Sequence, residues 1–394
     1  LFDLIIIGLL LLLLIIRIIK TKTFTTSVLF LVVLSYIVIY LVPTLNYQDL
    51  SIDRQSLMKF YLLFLVALFS LIMGFTWKNK LLNSNLQRIK RNQNQSYWIY
   101  FITAIILKIA IINFSSYSEN NIVKGLVFIM DDISTIFFFG FIYAFFMNGK
   151  KTNYIIKSLI IVIFYGLFYM ADVINSLKGE EYSRYNLLLA IIIIFVFLLE
   201  NVKRKLRFST IAIASCVVII LSFQILNRGD MLILKHGTDT INALQFNVTN
   251  YKPFLILYNL GFYMIAIPLG IKPLYYTANG QYMLDILGYS SYQVASYPFG
   301  IGITGVVDSY WNWGILGVIF FFYCAGFYLK ILRNNAIKYN SSFLYGIYIL
   351  QVCKLFLLFR LDFSFFFGRL IVILPVLYYI TRRFANENKH NKFE

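Results

Sequence analysis

The chain has 394 residues, of which 60% are hydrophobic and 13% charged, and its mean hydropathy is +0.76; that much apolar surface excludes a water-soluble globular domain and points to lipid. A formal charge of +18 would suggest nucleic acid in a soluble protein, but here Lys and Arg stand in short clusters between apolar runs, the pattern of topology signals, so no nucleic-acid partner is expected. Three cysteines, Cys216, Cys324 and Cys353, lie singly in apolar runs, and His236 and His390 are the only histidines, which argues against a disulfide framework or a His-rich zinc or iron centre.

A helix needs about 20 apolar residues to cross the hydrocarbon core. By that ruler spans are predicted at Leu4 to Ile19, Phe24 to Val42, Leu57 to Phe75, Tyr97 to Asn113, Ile122 to Met147, Tyr154 to Ile174, Arg184 to Leu199, Ser209 to Leu226, Asp308 to Leu332, Ser341 to Phe359 and Ser364 to Ile380. The first of these is too long for a cleaved signal peptide. The expectation is an all-α, polytopic integral membrane protein of about eleven transmembrane helices, forming a single membrane domain over residues 1–394.

Basic residues set the orientation. Arg17, Lys20 and Lys22; Lys78, Lys80, Arg88, Lys90 and Arg91; Lys150 and Lys151; Lys203, Arg204, Lys205 and Arg207; Arg333 and Lys338; and Arg382 and Arg383 fall in alternate connections, which are therefore cytoplasmic. The intervening connections are acidic or mixed and face outward, among them a long extracytoplasmic loop over 227–307 and a short turn through Arg360, Leu361 and Asp362. Within the long loop Pro253 to Lys272 is nearly as apolar as a span. Counting it would place the basic tail outside, and Gly261, Pro268 and Gly270 interrupt it, so it is read as re-entrant or interfacial.

Charges inside spans need a partner or a purpose. On this topology Lys108, Asp131, Asp132, Asp172, Lys354 and Arg369 all lie toward the outer ends of their spans, with Arg228, Asp230, Arg360 and Asp362 just beyond. One reading makes them paired helix staples and snorkelling side chains. The other makes them the lining of a water-filled cavity open to the outside. Asp131 and Asp132 point about 100° apart on a helix and cannot easily share one partner. The long loop adds Lys235, Lys252 and ten tyrosines between Tyr251 and Tyr310, which serve an aromatic belt or a stacking surface for sugar rings.

Phe299 to Gly305 reads FGIGITG and formally contains GxGxxG, but no βαβ context surrounds it, so the glycines form a loop end or an anion-binding turn. P-loop, HExxH and GxSxG patterns are absent from the sequence, which argues against nucleotide coupling.

Residues 297–334 read YPFGIGITGVVDSYWNWGILGVIFFFYCAGFYLKILRN, and 227–237 read NRGDMLILKHG. With the long late outer loop, these stretches resemble the Wzy-type O-antigen and capsular repeat-unit polymerases, in which an acidic residue, an aromatic, Asn and GxxG open the span after the loop. The corresponding residues here are Asp308, Tyr310, Asn312, Gly314 and Gly317. The related O-antigen ligases carry a His ahead of the GxxG, and the stretch around Ile303 has none. The arginine motifs described for some of these polymerases do not fit in spacing around Arg228 and Arg360.

The resemblance implies a fold like that of the C-type membrane glycosyltransferases, at the bacterial plasma (inner) membrane with its active side extracytoplasmic. It implies polymerisation of undecaprenyl-pyrophosphate-linked glycans among membrane lipids, alongside a polysaccharide co-polymerase that regulates chain length; no cofactor is expected, and the scarcity of candidate ligands argues against an obligatory metal. Arg228, Arg360 and Arg369 are the expected pyrophosphate clamp, since the guanidinium fork suits phosphate oxygens. Lys235, Tyr310 and Asn312 complete the expected binding set, and Asp308, Asp131 or Asp132 is the expected base for the acceptor hydroxyl. The rivals are a lipid-linked oligosaccharide flippase or other secondary transporter, an O-antigen ligase, and a non-catalytic sensor.

Overall fold

The computed structural model describes residues 54–76, 97–117, 121–148, 160, 163–168, 170, 231–246, 252–258, 260, 284, 285, 288, 290, 303–338, 341–358, 363, 366 and 367. Among these the regular structure is all helical: α1 Arg54–Thr76, α2 Tyr97–Tyr117, α3 Asn121–Asn148, α4 Met231–Phe246, α5 Gly305–Lys338 and α6 Ser342–Leu358. Five of the predicted spans fall on α1, α2, α3, α5 and α6. Spans predicted at Leu4 to Ile19, Phe24 to Val42, Arg184 to Leu199 and Ser209 to Leu226 lie outside the described residues, and those at Tyr154 to Ile174 and Ser364 to Ile380 are described only in short pieces. Among the described residues two helices, Arg54–Thr76 and Gly305–Ala336, have the length and apolar character to cross a membrane.

Two of the helix starts have recognisable caps. Thr304 Oγ1 accepts the N–H of Val307 at 3.3 Å ahead of α5, and Ser341 Oγ accepts the N–H of Leu344 at 3.3 Å ahead of α6; each hydroxyl satisfies a donor that the first helical turn leaves open. Helix α5 is not straight. Trp313 (φ −138°, ψ 28°) and Gly314 (φ 61°, ψ −142°) break its helical path, and only glycine adopts the second conformation readily.

The helices pack in the order α2, α3, α6, α5, α1, with α4 lying against α1 and α5. Backbones approach closely at two crossings. A Cβ on Gly74 would collide with the Tyr323 carbonyl, and one on Gly326 with the Leu71 carbonyl, so α1 and α5 press their glycines into each other. Gly140 and Gly346 do the same for α3 and α6, against Ser342 and Ile136. Small residues at facing positions let helices gain contact along their whole length, the usual means of association where lipid removes the hydrophobic drive between helices.

These crossings fix relative directions. Helices α1 and α5 run parallel, with Phe60 and Val307 both beside Gly237 and with Phe75 beside Gly326. Helices α3 and α6 run antiparallel, with Asp132 beside Lys354 and Gly140 beside Ser342. So do α2 and α3, joined by Lys108 with Asp131 and by Trp98 with Phe141. The start of α1, the end of α2, the starts of α3 and α5, the end of α6 and the whole of α4 therefore meet at one end of the bundle.

Away from the packed faces, α2 presents Ile99, Ile102, Ile106, Ile109 and Ile112 as exposed side chains, recurring every three or four residues along one face. Leu62 and Phe69 of α1, and Ile315, Leu316 and Phe320 of α5, are exposed as well.

Candidate functional site

Among the described residues the buried charged side chains lie in the half of each helix nearer that end, in two groups. The first is centred on α3. Lys108 Nζ of α2 lies 2.7 Å from Asp131 Oδ1, and Lys354 Nζ of α6 lies 3.1 Å from Asp132 Oδ2. Because neighbouring helical residues diverge by about 100°, α3 directs one carboxylate toward each flanking helix. The pairs differ in their access to solvent: the Lys354 and Asp132 side chains are 6% and 8% exposed, whereas Asp131 is 33% exposed. Lys108 also lies 5.6 Å from the centre of the Phe168 ring, whose face attracts a cation. Each of the adjacent aspartates thus has its own lysine, and the staple reading is realised in geometry for this group.

The second group surrounds the first half of α5. Asp308 is fully buried, and its Oδ2 accepts the backbone N–H of Phe363 at 2.9 Å. One turn later, Asn312 Nδ2 donates to the Asp308 carbonyl at 2.8 Å, while its Oδ1 accepts the N–H of Ile256 at 3.0 Å. The N–H of Lys252 reaches the Trp311 carbonyl at 3.0 Å, and Lys252 Nζ pairs with Asp285 at 3.2 Å. The start of the apolar loop segment 253–272 is thereby tied to α5 in the turn before the kink. Tyr310 is half-buried against the core. The glycines of the resembling motif have local tasks: Gly314 makes the kink, and a Cβ on Gly317 would strike the Ser309 carbonyl. Gly305, last of the FGIGITG glycines, leaves room for Leu358, so packing accounts for it without an anion.

Helix α4 joins this end through Asn242, whose Oδ1 accepts a hydrogen bond from Ser56 Oγ on α1, and through Gly237, which sits against Phe60 and Val307. Lys235 is half-buried on α4. His236 beside it is lowered to about 4, first by burial and then by the Lys235 charge, so it is neutral at physiological pH. Arg228, Arg360 and Arg369 lie outside the described residues.

Sequence reasoning did not single out Gln351. It is fully buried on α6, and neither Nε2 nor Oε1 meets a hydrogen-bond partner among the described residues. It stands seven residues, almost two full turns, before Leu358 and so shares the stripe that faces Gly305 of α5. Among the described residues no three His, Cys, Asp or Glu side chains group as metal ligands. No protein-family model, no curated protein and no solved structure matches this chain.

Proposed function

We propose that this chain is a bacterial plasma-membrane glycosyltransferase that polymerises undecaprenyl-pyrophosphate-linked oligosaccharide repeat units into O-antigen or capsular polysaccharide on the extracytoplasmic face. The observation that carries this reading is that Lys108, Asp131, Asp132, Lys354, Asp308 and Asn312 all lie in the half of their helices nearer the end where α4 packs. That is the end to which the charge pattern assigns the long outer loop. A polar end fed sideways by lipid suits substrates whose anchors stay in the bilayer while their glycans react outside it.

The reaction requires two things of the protein. Charge developing on the departing pyrophosphate must be met, which is the role proposed for Arg228, Arg360 and Arg369. The acceptor hydroxyl must be deprotonated, and Asp131, the more exposed member of the aspartate pair, is the better placed to be reached by one. Holding two lipid-borne reactants in register supplies much of the remaining acceleration. A polysaccharide co-polymerase is the proposed protein partner.

Gel analysis of surface glycans from a deletion strain tests the reading. Single displayed repeat units without polymer are expected. Loss of every displayed unit would instead identify a flippase, and long unattached polymer a ligase. In the complemented strain, Arg228→Ala and Arg360→Ala are expected to insert normally and yield no polymer; normal-length polymer from both would remove them from the site.

A further inference from the structure

We infer that Asp308 and Asn312 are positioning residues: side-chain oxygens that fasten two distant chain segments to one turn of α5, rather than groups that react with substrate. The inference rests on the polymerase reading for the activity it would support, and on geometry for the fastening itself.

Both residues spend their described hydrogen bonds on backbone. Asp308 Oδ2 accepts from Phe363 N–H at 2.9 Å, and the Phe363 ring is buried with its centre 5.6 Å from that of Phe321 and 5.1 Å from that of Phe322. Asn312 Oδ1 accepts from Ile256 N–H, while its Nδ2 is held by the Asp308 carbonyl, so the amide cannot rotate away without losing both bonds. Asp308, Asn312, Ile256 and Phe363 are each exposed by 1% or less. A group in that setting does not receive a proton from a soluble or lipid-borne hydroxyl unless the packing opens.

The segments so fastened are those that matter to the proposed site. One begins the apolar stretch of the long loop. The other follows Arg360 by three residues in the sequence. A backbone N–H needs only an oxygen to accept its bond, whereas a general base needs an ionisable carboxylate. That difference separates the two roles.

The test uses the full-length protein in liposomes, with repeat-unit lipid isolated from the deletion strain as substrate. Asp308→Asn keeps an acceptor oxygen and is expected to extend chains within about twofold of the unsubstituted protein, with the same pH profile. Asp308→Ala and Asn312→Leu are expected to lose about tenfold or more, chiefly through a raised KM. Cysteine labelling reads the fastening independently. Phe363→Cys should be protected alone and with Asp308→Asn but reactive with Asp308→Ala, and Ile256→Cys should become reactive with Asn312→Leu. An Asp308→Asn protein as inactive as Asp308→Ala, with Phe363→Cys still protected, would overturn the inference and make the carboxylate a reacting group. Should the unsubstituted protein extend no chains, the polymerase reading fails while the labelling pattern still decides the fastening.

Discussion

Lys354 and Asp132 are 222 residues apart in sequence and 3.1 Å apart in the fold, with side chains 6% and 8% exposed. A pair this secluded adds little stability compared with a well-packed apolar pair, because both ions give up hydration to form it. Removing one member is another matter. Lys354→Ala or Asp132→Ala breaks a buried ion pair by removing one member and is expected to destabilise by about 3–5 kcal/mol, read as a lower melting temperature of the detergent-purified protein. The double variant Asp132→Leu/Lys354→Leu should recover most of that loss. Lys108→Ala should be milder, because its partner Asp131 is 33% exposed and can be rehydrated.

The glycine crossings make a sharper demand. A Cβ at Gly326 meets the Leu71 carbonyl, and one at Gly346 meets the Ile136 carbonyl; both obstacles are backbone, which cannot rotate aside. Gly326→Ala and Gly346→Ala are each expected to lose about 1–3 kcal/mol by forcing a helix pair apart. Gly166, where an added Cβ would meet nothing within 4 Å, provides the control, and Gly166→Ala should melt with the parent.

Helix α4 should loosen in acid. His236 is held neutral, lowered from 6.5 to about 4 by burial and by Lys235. The unfolded or undocked chain therefore binds a proton more readily than the docked one between those values. Stability from the neutral imidazole is complete above about pH 6.5 and is lost as pH falls toward 4. Thermal melts across that range should show a fall that His236→Gln flattens. An unaltered pH slope in the variant would assign the effect to other groups.

How much of this was legible in the sequence depends on what kind of signal each feature leaves. Apolar runs are long and unambiguous, so the edges of α2, α3 and α6 fall within a few residues of the predicted spans. The divergence of Asp131 and Asp132 was legible too, since helical geometry alone sends neighbours to different faces. Their partners were not, because nothing local links residue 132 to residue 354. Helix α4 falls inside the stretch that the sequence assigns to the long loop: MLILKHGTDTINALQF mixes Gly, two Thr and charge, and its docking against Phe60 and Val307 is a long-range matter. The GxxG at Gly314 and Gly317 was legible as a motif, but its work in bending α5 shows only in the backbone angles. Asp308 and Asn312 stand out in the sequence only through the motif that resembles the polymerases; that one side-chain oxygen of each accepts a backbone N–H is visible only once residues 256 and 363 are seen beside them.

The bend itself is open to a direct test. Gly314 holds φ 61° and ψ −142°, a region closed to side-chain-bearing residues, so Gly314→Ala should destabilise by about 1–3 kcal/mol. The consequence should also be local. Asn312 immediately precedes the break and binds Ile256 N–H, so a helix that relaxes toward straightness re-aims that amide and releases the loop segment. Gly314→Ala should therefore make an otherwise protected Ile256→Cys reactive to a membrane-impermeant thiol reagent, while Phe60→Cys, fully buried on α1 beside α4, stays protected. Equal exposure of both cysteines would mean that the substitution unfolds the whole end of the bundle, and that the kink has no particular hold on the loop.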